Sequence, residues 1–108
     1  MFGLPDNALA AMQGVFGNYP QVEKVIIYGS RAKGNFRPGS DIDLTILGEA
    51  LDSSTLSRIM IDLDDLNMPY MLKEKLFNQI DSEILFNQIE RAGKVFYLSP
   101  DLESSYNA

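Results

Sequence analysis

The chain has 108 residues, 45% of them hydrophobic and 22% charged, with a formal net charge of −6; that suits one globular domain with one core. Cysteine and histidine are both absent, which excludes disulfides, thiolate metal sites, histidine bases, Ser-His-Asp triads and ordinary zinc centres, so a bound metal must take oxygen ligands. So acidic a chain is a poor generic binder of nucleic acid and is better matched to a basic protein partner.

Met1 to Asp6 has neither the basic nor the apolar region of a signal peptide. No run of ~18 apolar residues is present, so no membrane span is expected. A cytoplasmic location is the expectation. A helix is predicted from about Pro5 or Asp6 to Phe16, closed by Gly17-Asn18-Tyr19-Pro20. Leu9, Met12 and Phe16 fall at helical spacing, with Ala8 and Val15 beside them, and read as core. Val22 to Tyr28 is a β-rich apolar run that stops at Gly29, the first strand. A short helix from Arg31, capped by Ser30, would aim orphan N–H groups at an anion. Asp41–Leu47 is the second strand. Asp52-Ser53-Ser54-Thr55 offers several caps to a helix reaching about Leu66, with Leu56, Ile59, Met60, Leu63 and Leu66 in one stripe. Asp62, Asp64 and Asp65 lie away from that stripe as a solvated acidic face, unfavourable for the helix dipole.

Asn67-Met68-Pro69 breaks the helix, and Tyr70-Met71-Leu72 opens a third strand ending near Lys75 or Leu76. A short turn or helix follows Phe77. Asp81 or Ser82 caps a helix from Glu83 to Ala92 with Ile84, Leu85 and Ile89 as its apolar face, and Gly93 reads as the residue just past its end. Val95–Leu98 is a short final strand. Residues 1–98 read as a single domain and 99–108 as a polar, frayed tail. The alternation of elements predicts an α+β fold, a small mixed or parallel sheet backed by helices.

The chemistry concentrates in Gly29-Ser30-Arg31-Ala32-Lys33-Gly34, followed seven residues later by Asp41-Ile42-Asp43. On a strand, Asp41 and Asp43 share one face while Ile42 and Leu44 enter the core. Two carboxylates so close repel each other unless a cation sits between them, and Mg²⁺ shared with substrate phosphates is the natural choice. Gly29 and Gly34 let the backbone turn tightly and approach a ligand. Arg31, Lys33 and Arg37 are three of the nine basic residues, gathered within seven positions. Taken singly, a Gly-Ser turn is usually only a turn and an Asp-x-Asp a solvated strand edge; the conjunction points to phosphate chemistry.

Gly-Ser-x-Ala-x-Gly followed by Ser40-Asp41-Ile42-Asp43-Leu44 resembles the signature of the polymerase-beta-type nucleotidyltransferases. The resemblance spans Val22 to Tyr97. The length is similar to that of the minimal nucleotidyltransferase (MNT) domain, a palm-like core without a substrate domain. The segment Ile89 to Tyr97 is similar to the ending common in MNT antitoxins, which are paired with HEPN-domain toxins, usually ribonucleases. The resemblance implies transfer of AMP from ATP to a tyrosine hydroxyl of the toxin, with Mg²⁺ or Mn²⁺ as cofactor. It implies Asp41 and Asp43 as catalytic metal ligands, and Gly29, Ser30 and Ser40 at the nucleotide, with Arg31 and Lys33 attracting phosphate. The implied partners are a HEPN toxin and a nucleotide; a homo- or hetero-oligomer stays open, and the composition leads to no expected contact with membrane or nucleic acid.

The family normally carries a third carboxylate on the third strand, just before a Phe. Here Tyr70-Met71-Leu72-Lys73-Glu74-Lys75-Leu76-Phe77 occupies that place, and Lys73 stands where the acid belongs. Activity lost, a sequence altered there, or a register slip that lets Glu74 serve are the three open explanations. Without the family comparison, Lys73-Glu74-Lys75 reads as a charged strand edge that discourages edge pairing. The readings to be weighed are therefore a nucleotidyltransferase acting on a partner protein and a catalytically impaired antitoxin that neutralises its partner by contact. A nucleotidyltransferase of small molecules ranks lower, because the chain is too short for its own acceptor domain.

Overall fold

In the computed structural model, which describes residues 1–102, the predicted elements form in the predicted order. They are α1 (Asp6–Gly17), β1 (Lys24–Tyr28), α2 (Ser30–Lys33), β2 (Ile42–Leu47), α3 (Ser53–Asp64), β3 (Leu72–Leu76), a 3₁₀ turn (Phe77–Gln79), α4 (Glu83–Ala92) and β4 (Lys94–Leu98). The sheet is mixed, in the order β3-β2-β1-β4. β1 runs antiparallel to both β2 and β4, and only the β2–β3 pair is parallel.

The two-residue period decides the layers. Val25, Ile27, Ile42, Leu44 and Ile46 are buried on one face. They form one cluster with Met12, Val15 and Phe16 of α1 and with Ile59 and Leu63 of α3. Phe16 meets Phe96 of β4 edge-on at 6.3 Å between centroids, a favoured aromatic geometry. α4 packs on the opposite face of β1, where a Cβ at Gly93 would lie 2.7 Å from Ile26 Cγ2 and 2.5 Å from the Ile89 carbonyl oxygen. Gly93 thus ends α4 as predicted, but its φ is −67° rather than left-handed. Close approach, not a left-handed cap, is what requires glycine there.

Two apolar faces are narrower than their sequences suggest. In α3, Ile59 and Leu63 are buried while Met60 is 39% exposed. At about 100° per residue Met60 lies on the rim of the Ile59–Leu63 stripe. In α4, Ile89 is the buried residue and Ile84 is 83% exposed. Five residues carry Ile84 about 140° around the helix from Ile89, away from the sheet. The expected caps hold at Asp52, whose carboxylate accepts from the Thr55 N–H at 2.8 Å, and at Ser82, whose hydroxyl accepts from the Leu85 N–H. Asp62 is not purely solvated, because it accepts a hydrogen bond from the Tyr19 hydroxyl. Asn67, at a φ of 53°, turns the chain out of α3 before Pro69. Past β4, the Ser99 N–H donates to the Glu23 carbonyl at 2.9 Å and residues 100–102 are helical. The rest of the predicted tail lies outside the described residues.

Candidate active site

The end of β1 and the start of β2 meet because the strands pair antiparallel with Tyr28 opposite Asp43. Gly29 turns the chain out of β1 at a φ of 77°, a conformation that L side chains rarely adopt. A Cβ there would lie 2.6 Å from Asp43 Oδ2, so the Asp43 carboxylate is seated against the bare α-carbon of Gly29. Glycine therefore serves twice, for the turn and for the contact. Ser30 was expected to cap α2; instead Gly29 is the cap and Ser30 the first helical residue, with no side-chain cap hydrogen bond. Among the described residues its hydroxyl makes no hydrogen bond, which leaves it available to a ligand.

β2 begins at Ile42, one residue later than predicted, yet Asp41 stands on the same side as Asp43, where both interact with Lys73. The parallel register then sets Lys73 directly opposite Asp43, and Lys73 Nζ lies 3.1 Å from Asp41 Oδ2. Lys75, two residues on, falls on the same face. Burial pushes the Asp43 carboxyl above its ordinary range; the Lys73 ammonium draws it back, and the charge of Asp41 raises it further. The hydrogen bond to Asp41, with the charges of Asp41 and Asp43, holds the Lys73 ammonium above its ordinary value. Tyr28, buried beside Asp43, is also raised, chiefly by burial. Glu74 does not slip into this site. It pairs in register with Leu44, whose side chain enters the core, and no irregularity interrupts the β2–β3 ladder. Its half-buried carboxyl is raised by burial and by the charge of Asp64 on α3, the opposite side of the sheet.

Arg31 faces inward rather than toward a ligand. The residue is 3% exposed. Nε and Nη2 donate to the Ser40 carbonyl at 3.0 and 2.9 Å, and Nη1 donates to the Phe2 carbonyl at 3.0 Å. The rings of Phe36 and Tyr70 lie 5.2 Å from it on centroid distance. Ser40 is occupied as well: its hydroxyl accepts from the Arg37 N–H at 2.8 Å and its N–H donates to the Arg37 carbonyl at 2.9 Å. Two residues expected at the nucleotide are thus bonded to each other, and together they anchor the backbone immediately before Asp41. Lys33 is exposed and lines a groove of about 580 Å³ against α4, beside Gln88 and Arg91. Sequence reasoning missed Lys75 and Tyr28 as neighbours of the acid pair. Alternation from Lys73 would have found Lys75, whereas only pairing places Tyr28.

The donor set decides whether a divalent metal fits. Among the described residues no group of three or more acids is placed to hold a metal ion. Asp41 is already paired with the Lys73 ammonium, and a two-metal site needs more carboxylate ligands than this pair supplies. The residues present do not fit a metal pair. No helix among the described residues is long and apolar enough to cross a membrane.

Solved structures share this fold. A chain from a crystal structure of a toxin–antitoxin with AMP-PNP superposes at TM-score 0.66 with 19% identity, over 95% of this chain and 81% of that one. A chain from the tri-AMPylated Shewanella oneidensis HEPN toxin in complex with MNT antitoxin gives 0.61 and 16%, over 93% and 77%. A putative nucleotidyltransferase from Sulfolobus solfataricus gives 0.51 and 17%, over 89% and 91%. No curated protein matches the sequence. The profile of the family described as polymerase beta, nucleotidyltransferase matches residues 11–101, nearly the whole domain and both halves of the site, so the chain belongs to that family.

Proposed function

We propose that this chain is the antitoxin of a HEPN-type toxin in the cytoplasm, built on a nucleotidyltransferase scaffold that holds a nucleotide at Gly29–Ser30 and neutralises its partner by contact. The antitoxin role is supported by the likeness to chains from toxin–antitoxin complexes, one of them with a HEPN toxin. Neutralisation by contact is carried by one observation, the ion pair between Lys73 and Asp41 at 3.1 Å. An ammonium in place of the third acid repels the cation that transfer chemistry needs and offers no base to the attacking hydroxyl.

The second reading is Mg-dependent transfer of AMP from ATP to a hydroxyl of the partner. It is favoured by Asp41 and Asp43 sharing a face beside the Gly29 turn. In it the partner's hydroxyl oxygen bonds to the α-phosphorus, pyrophosphate leaves, and the hydroxyl proton passes to solvent or a carboxylate. Lys73 is 56% exposed, so its side chain is free to swing away from Asp41.

Intact-mass analysis of the partner toxin after incubation with Mg-ATP separates the two, run with the native chain and with Lys73→Asp, beside a toxin-inhibition assay without nucleotide. Contact neutralisation predicts inhibition without ATP, no adduct with the native chain, and a nucleotide adduct with Lys73→Asp. An adduct with the native chain overturns it in favour of transfer.

A further inference from the structure

The face that carries Asp41 and Asp43 also carries Lys73 and Lys75, because the parallel register sets Lys73 opposite Asp43 and Lys75 opposite Thr45. Two carboxylates and two ammonium groups sum to zero. The repulsion that would draw a divalent cation between the acids is therefore already relieved by the chain itself. Lys73 is the closer of the two, with Nζ 3.1 Å from Asp41 Oδ2. An ammonium has three N–H donors, and this contact uses one. The side chain is 56% exposed, so the others face solvent at the site's open side. In a metal-dependent site a cation ties a protein carboxylate to a phosphate oxygen. A lysine ammonium that holds a carboxylate on one side and a phosphate on the other makes the same tie with charge-assisted hydrogen bonds.

We infer that Lys73 is a built-in cation, and that the site takes the polyphosphate of a nucleoside triphosphate without a divalent metal, Lys73 bridging Asp41 to the phosphate oxygens. This rests on the nucleotide site proposed at Gly29–Ser30. The neighbouring groups support it. Asp43 is seated against Gly29 and cannot shift to follow a metal without leaving that contact. Asp41 follows Ser40, whose carbonyl is gripped by Arg31. The Asp43 carboxylate and the backbone just ahead of Asp41 are thus held in place, and Lys73, tethered and exposed, is able to adjust to a ligand.

Isothermal titration of the full chain with ATP, in EDTA and in excess Mg²⁺, tests this, with inorganic tripolyphosphate as competitor. Native protein is expected to bind ATP in EDTA at least as tightly as with Mg²⁺. Lys73→Asp, which places three acids together, is expected to lose about tenfold or more in EDTA and to regain binding with Mg²⁺. Lys73→Met is expected to weaken binding in both conditions. Tripolyphosphate that displaces ATP from the native protein in EDTA supports the inference; failure to displace it overturns it, because the nucleoside would then be what is held. Native binding that requires Mg²⁺ overturns it too. So does the absence of ATP binding in either condition, a result that leaves neutralisation by contact standing, since that is read from toxin inhibition without nucleotide.

Discussion

Replacing Arg31 by Met should lower stability by about 3 kcal/mol and loosen the backbone at Asp41 more than the rest of the sheet. Arg31 is 3% exposed, and its guanidinium makes three hydrogen bonds, two to the Ser40 carbonyl and one to the Phe2 carbonyl. Methionine keeps most of the apolar stem but leaves both carbonyls without these donors, at about 1–3 kcal/mol each. Loss of the guanidinium contacts with the Phe36 and Tyr70 rings adds about 0.5–2 kcal/mol each. Water entering the vacated space recovers part of this, which brings the total to about 3 kcal/mol. For a domain of this size that is a fall of roughly 12 °C in Tm. Urea unfolding measures the global loss, and amide hydrogen exchange measures its distribution. The Ile42 N–H, which donates to the Met71 carbonyl at 2.9 Å beside the anchored segment, should lose more protection than the Ser99 N–H, which donates to Glu23 at the β4 edge. Arg31→Lys should recover less than half of the loss, because a point charge cannot fork onto Ser40 as guanidinium does. A loss below about 1 kcal/mol, or equal deprotection at both amides, refutes the reasoning.

Two further outcomes follow from the same geometry. Gly29→Ala forces a side chain into a left-handed turn and sets its Cβ 2.6 Å from Asp43 Oδ2, so it should destabilise by about 1–2 kcal/mol and weaken ATP binding; titration showing unchanged affinity would refute the seating of Asp43 on Gly29. Glu74 has a folded-state pKa raised by burial. Its native carboxyl therefore holds a proton over a pH range where the unfolded one has lost it, and stability falls as pH rises from the ordinary Glu value of about 4.3 through the raised value. Glu74→Gln removes that burden, so urea midpoints should show the variant gaining on the native protein as pH rises through that window, and a constant difference across it would contradict the assignment.

Most of the domain was legible because its signals are local. Gly17 and Gly93 mark the observed ends of α1 and α4, and Asn67 to Pro69 falls in the connection between α3 and β3. Asp52 and Ser82 cap the helices that follow them, through bonds spanning three residues. What failed locally was orientation. A basic residue after a Gly-Ser turn reads as a phosphate ligand, yet Arg31 turns inward because Phe2 and Tyr70, from distant parts of the chain, converge on it with Phe36 and Ser40 of the following loop. Ile84 reads as core because it is apolar, yet the sheet meets α4 from the Ile89 side.

By itself the sequence determined the chemistry on offer: no imidazole or thiolate, two carboxylates on one strand face, and a glycine turn ahead of them. Alternation along a strand is a property of the backbone, so Asp43 had to leave the face that Ile42 and Leu44 bury wherever that strand went, with Asp41 just ahead of it. Which strand lay beside them was decided only in three dimensions. The parallel pairing of β2 with β3 aligns Leu72 and Leu76 with Ile42 and Ile46, and a slip of one residue would turn Leu76 out of the core and Lys73 into it. Burial of those side chains fixes the register, and the register delivers Lys73 to Asp41.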